Sequence, residues 1–159
     1  MILLKKIGST LLFFTLVWIG CTGVPSGAIT EYRLTIGTAT MDDFIALSNR
    51  TLNRHRYIVD RTEDRGTGAI VECKNEYPGI SNEEALQGII EIKYTLFLEA
   101  RVKSSGGGMF SVRAIVQSYG RFSGNEDWVD IPINDESKRR VKTLANDLKT
   151  EFESKIRAF

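Results

Sequence analysis

Apolar and polar residues alternate over two long stretches of this chain, and the alternation predicts a β-hairpin. Ile90, Ile92, Tyr94, Leu96, Leu98, Ala100 and Val102 share one face, while Glu91, Lys93, Thr95, Phe97, Glu99, Arg101 and Lys103 share the other. That two-residue period belongs to a strand with one buried side. After Ser104 to Gly108 the pattern resumes, with Phe110, Val112, Ala114 and Val116 inward and Ser111, Arg113, Ile115 and Gln117 outward. The Gly-rich segment between them reads as the hairpin turn. A one-residue slip would turn every side chain to the wrong face, so paired residue numbers must have an even sum. Pairing Lys103 with Met109 sets Leu96 opposite Val116 in the core. On the outer face it sets Glu99 opposite Arg113 and Phe97 opposite Ile115.

The remaining segments give shorter patterns. Tyr32, Leu34 and Ile36 alternate with Glu31, Arg33 and Thr35 as a strand. Thr40 is placed to cap a helix with Asp42 and Asp43 in its first turn and Met41, Phe44, Ile45, Ser48 and Leu52 at helical spacing. Tyr57 to Arg61 and Ala69 to Tyr77 read as two further strands, and Trp128 to Ile131 as a short one. From about Asp135, with Asn134 or Asp135 as cap, a final helix carries Val141, Leu144, Ala145, Leu148, Phe152 and Ile156 in one stripe. Strand, helix, meander and helix predict an α+β domain. It has an antiparallel sheet of four to five strands, two helices on one face, and the other face open.

The first residues belong to a different kind of segment. Lys5 and Lys6 precede the uncharged run Ile7 to Ile19, which ends at Gly20 and Cys21. A charged start, an apolar core and a small residue at the cut are the parts of an export signal. The run is too short for the roughly 20 residues of a membrane-spanning helix. Val17, Trp18, Ile19, Gly20 and Cys21 resemble the signal of bacterial lipoproteins. The resemblance implies a signal peptide over 1–20 and a mature chain that begins at an acylated Cys21 bearing palmitate. A plain secretory cut after Gly20 or Gly23 is the alternative. Residues 21–30, with Gly23, Pro25, Ser26 and Gly27 and no charge, read as a flexible tether. Residues 31–159 then make one domain of ordinary size. Loss of Lys5 and Lys6 turns the formal charge from +1 to −1, which gives no electrostatic footprint for nucleic acid. With Cys21 acylated, Cys73 has no intramolecular partner, and its alternation with Ala69 and Val71 makes it a small buried hydrophobe.

A search for chemistry finds little. His55, the sole histidine, falls at the end of the first predicted helix, where a cation favours the helix dipole. One histidine and one spare cysteine do not make a closed zinc site. Asp60, Glu63, Asp64, Glu126, Asp127 and Asp130 lack the spacing of a calcium loop and read as solvated surface. The glycines after Ser105 open no helix and therefore form no phosphate loop. Asn49-Arg50-Thr51 matches a glycosylation triplet, but within a predicted helix it carries no weight. Arg50, Arg54, Arg56 and Arg61 read as a mixed charged face, with Glu63 and Asp64 close behind. No catalysis, metal or cofactor is expected. Phe97 and Ile115 stand out as an apolar island on an otherwise charged strand face, which reads either as an aromatic and β-branched pair that stabilises the sheet without a partner or as a protein-docking patch.

The order of elements from Tyr32 to Phe159, behind a lipidated cysteine, resembles the helix-grip domains of outer-membrane barrel-assembly accessory lipoproteins. Phe44 to Leu52, Tyr57 to Asp60 and Gly68 to Val71 carry the similar helix, turn and strand entry. Lipopolysaccharide-assembly lipoproteins share the layout. The resemblance implies a noncatalytic accessory facing the periplasm from the outer membrane, and Thr22 after the cysteine is compatible with that destination. The expected function is therefore that of a lipid-anchored envelope protein that binds another envelope protein. The alternative is a periplasmic lipoprotein that holds a lipid or another small apolar ligand. The oligomeric state stays open.

Overall fold

Long alternation produces long strands, and the hairpin is the spine of the molecule. The computed structural model describes residues 31–103 and 107–156. The expected signal peptide over 1–20, the acylated Cys21 and the tether over 21–30 lie outside the described residues. The elements are β1 (Glu31–Ala39), α1 (Met41–Arg54), β2 (Val59–Asp64), β3 (Gly68–Cys73), α2 (Asn82–Leu86), β4 (Ile89–Val102), β5 (Phe110–Phe122), β6 (Val129–Asp130) and α3 (Asp135–Ile156). All pairings are antiparallel, in the order β1-β5-β4-β3-β2, with β6 continuing along β5 beyond β1. The fold is the expected α+β, with six strands instead of four or five. The third helix, α2, is too short for apolar periodicity to reveal.

The hairpin register is the expected one. Leu96 faces Val116, Phe97 faces Ile115 and Glu99 faces Arg113, and the Lys103 N–H donates to the Met109 carbonyl at 3.2 Å. Ile90 departs from expectation, because a β-bulge between Ile89 and Glu91 shifts the pairing. Ile89 takes the core position and Ile90 is left 51% exposed, since one extra residue on the bulged strand re-aims the side chains around it. Val102 is exposed as well, at the end of β4. β3 stops at Cys73, and beyond it only Glu76 bridges back to Tyr94.

The start of each helix is satisfied locally. Thr40 Oγ1 accepts from the Asp43 N–H, and Asn134 Oδ1 accepts from the Ser137 N–H. α2 opens with a full capping box, Ser81 and Glu84 each bonding the other's backbone. At the end of α1 the Tyr57 N–H reaches the Leu52 carbonyl at 2.9 Å across Arg56, whose φ is 63°. That left-handed closing position is usually glycine's.

α1 and α3 pack on the face built from Leu96, Leu98, Val112 and Ala114, and one core runs from Phe44 and Leu52 to Leu144, Leu148 and Phe152. Full burial of such side chains stabilises by about 1.5–3 kcal/mol each. Arg50 and Arg54 reach Glu151, and His55 Nε2 lies 2.9 Å from Asp147 Oδ2, which ties the end of α1 to α3. Among the described residues no helix is long and apolar enough to cross a membrane.

Candidate functional site

With both long helices on one side, the odd-numbered residues of β4 from Glu91 onward and those of β5 form the opposite face of the sheet. Strand pairing lays a row across it: Arg61, Glu72, Phe97, Ile115 and Arg33, one from each of β2, β3, β4, β5 and β1. Phe97 and Ile115, singled out by the sequence, are therefore adjacent at its centre, and each is half-buried. A third apolar side chain joins them. Ile70 pairs with Glu99, two residues along β4 from Phe97, a diagonal within reach of aromatic and long side chains. Alternation with Ala69 and Val71 points Ile70 outward, but its place beside Phe97 depends on the β3–β4 register.

Ion pairs surround this apolar centre. Arg61 Nε donates to Glu72 at 2.5 Å on one side, and Arg33 bonds Glu31 at 2.5 Å on the other. Arg65 Nη2 and Arg61 Nη1 both hold Glu63. The most constrained member is Glu99, only 6% exposed although among the described residues no helix covers this face. Arg113 Nε and Arg101 Nε donate to its two oxygens at 2.5 and 2.6 Å. Burial works to raise the Glu99 carboxyl, but the hydrogen bonds and charges of Arg113 and Arg101 outweigh it and hold the group below the usual carboxylate range. A group whose folded value is depressed contributes stability above its unfolded value, near pH 4, and loses it as pH falls through the folded value. Glu99→Gln is expected to cost about 1–3 kcal/mol at pH 7. In urea titrations the two proteins should begin to approach each other as pH falls below about 4, and converge once it is below the depressed folded value of Glu99.

At one end of the same face the apolar centre gives way to aromatic and cationic groups. Lys93 Nζ sits 4.6 Å from the Trp128 ring and 4.8 Å from the Tyr119 ring, and the Arg121 guanidinium is 5.5 Å from Trp128. Tyr77 packs against Trp128 with ring centroids 6.3 Å apart, and Arg121 pairs with Glu91. Four separate segments contribute, and no single stretch of sequence marks the cluster.

Elsewhere among the described residues, little reactive chemistry is gathered. Cys73 is buried, and burial pushes its thiol up to about 12, so it is no thiolate nucleophile at neutral pH. Among the described residues no His, Cys, Asp and Glu side chains gather into a metal-binding group. Asp60, Asp64, Glu126, Asp127 and Asp130 are exposed. Between α3 and the sheet, Tyr57, Tyr94, Leu96, Val116 and Val141 line a cavity of about 20 Å³. That volume suits one water and is far below the roughly 300–1,000 Å³ of a small-molecule site. The sequence matches no protein-family model, and a search of curated proteins finds no match either.

Proposed function

We propose that this chain is a noncatalytic, lipid-anchored envelope protein that binds another envelope protein through the open face of its sheet, in the manner of an outer-membrane assembly accessory. Acylated Cys21 would hold it at the outer membrane, facing the periplasm. The observation that carries the reading is the apolar centre of Ile70, Phe97 and Ile115 on that face, bordered by Arg33, Arg61, Glu72 and Glu99. An apolar centre that excludes water, with a charged rim that sets orientation, is the arrangement of a binding hot spot. The space between α3 and the sheet, about 20 Å³, is too small for a lipid, which speaks for a surface-binding role over the holding of one beneath α3.

The test is photo-crosslinking in the native envelope from a probe at Phe97, with a probe at exposed Lys149 as control. A discrete protein adduct from Phe97 alone is expected. Phe97→Thr combined with Ile115→Thr should weaken capture of that partner by about 2 kcal/mol or more, some 30-fold. Stability should fall only by the roughly 0.2–1 kcal/mol of a cross-strand pair. Unimpaired capture beside a large drop in melting temperature would assign the pair to folding.

A further inference from the structure

We infer that the domain stands on the membrane by the end of the sheet that carries Trp128, with Leu86 and Ile90 seated in a zwitterionic phospholipid surface. The inference rests on the lipid-anchor reading of Cys21 and adds an orientation to it. The described chain starts at that end. Glu31 pairs with Gln117, and two residues further along β5 Tyr119 pairs with Asp130 of β6. The far end of β1, Ala39 opposite Phe110, is about 27 Å away at the usual rise of an antiparallel strand. Residues 21–30 span at most about 35 Å when fully extended. An acylated Cys21 therefore favours the Glu31 end as the one nearest the surface, since resting on the opposite end would consume most of the reach.

The same end presents side chains that suit an interface. Leu86, at the close of α2, is 88% exposed, and the bulge turns Ile90 outward. The Gly88 carbonyl between them accepts from the Ser123 N–H, which fixes both against the end of β5. Trp128 and Tyr77 are rings with polar tips, of the kind concentrated at headgroup depth. Lys93 and Arg121, over the Trp128 ring, are placed to meet lipid phosphates. Glu83, Glu126, Asp127 and Asp130 are exposed at this end too, and they disfavour a strongly anionic surface. Apolar insertion with locally paired charge selects a zwitterionic one.

The chain contains two tryptophans, Trp18 and Trp128, and Trp18 leaves with the signal, so the emission of the mature protein reports Trp128 alone. The test uses the full chain, purified from the envelope of a producing bacterium and reconstituted in vesicles of phosphatidylcholine and phosphatidylethanolamine. A share of the phosphatidylcholine carries brominated acyl chains, and the intact mass is measured on the same sample. Expected are a mass lacking residues 1–20 and carrying acyl groups, quenching of Trp128 by the brominated lipid, and loss of that quenching in a Leu86→Glu, Ile90→Glu variant. An acylated mass with emission unchanged by bromination overturns the end-on orientation and leaves the anchor standing. A mass that keeps residues 1–20 or lacks acyl groups overturns the anchor and the orientation with it. Quenching that survives the double variant overturns the seating of Leu86 and Ile90.

Discussion

Replacing Phe44 with alanine is expected to lower stability by about 3–5 kcal/mol, among the largest losses a single truncation in this domain should produce. Phe44 is completely buried on α1, within the core that α1, α3 and the sheet share. Removing the ring forfeits its transfer free energy, and it also opens a cavity that close-packed neighbours fill only in part. A loss of that size is a large share of the ordinary 5–15 kcal/mol by which domains are stable. It should bring the melting temperature down by roughly 10–20 °C. Circular dichroism on heating and a urea titration check it. A shift of only a degree or two would mean that α1 repacks and that the core tolerates a loose fit there. Because such a variant lowers the population of every folded surface, it is no test of docking, which needs the half-buried pair Phe97 and Ile115.

Gly68→Ala should be the second severe change, at about 2–3 kcal/mol. A Cβ at Gly68 would lie 2.1 Å from the Ala100 carbonyl oxygen. That oxygen belongs to the backbone of β4, which cannot rotate aside as a side chain does. Gly68 has no left-handed φ, so the cost is steric, and relief requires β3 and β4 to move apart beside Ile70 and Glu99. Gly120 supplies the comparison. A Cβ there meets the Ile131 side chain at 2.9 Å, a longer contact, and one with a side chain that can shift instead of with backbone. Gly120→Ala is expected to cost less than about 1.5 kcal/mol. Denaturation midpoints that rank the two glycines in the opposite order would show that the β3–β4 junction is loose. The apolar centre would then lack the rigid support a binding surface needs.

The hairpin shows how much of the candidate site was readable beforehand. The turn lies between its two strands, so alternation and a short loop leave one even register, and Phe97 opposite Ile115 follows from local information. Ile70 was not readable in the same way. β3 and β4 are separated by a connection that contains α2, and the apolar pattern of neither strand records how far one slides along the other. The bulge at Ile89 and Glu91 was hidden because Ile89 and Ile90 are both apolar and either suits the core. α2 had a signal that periodicity passes over, namely Ser81 and Glu84 at capping-box spacing. Glu99 was expected to face Arg113, but its second partner, Arg101, shows only in the side-chain geometry.

The chain's own residue order determined the strands of the hairpin, their faces and mutual register, the caps of α1 and α3, and the α+β class. These follow from periods, short loops and hydrogen bonds between residues a few positions apart. Tertiary structure alone decided the sheet order, the seat of Ile70 beside Phe97, the outward turn of Ile90, and the gathering of Tyr77, Lys93, Tyr119 and Trp128 at one end. Contacts between distant segments are selected by how whole apolar faces close over one core, and that collective fit is written in no single stretch of sequence.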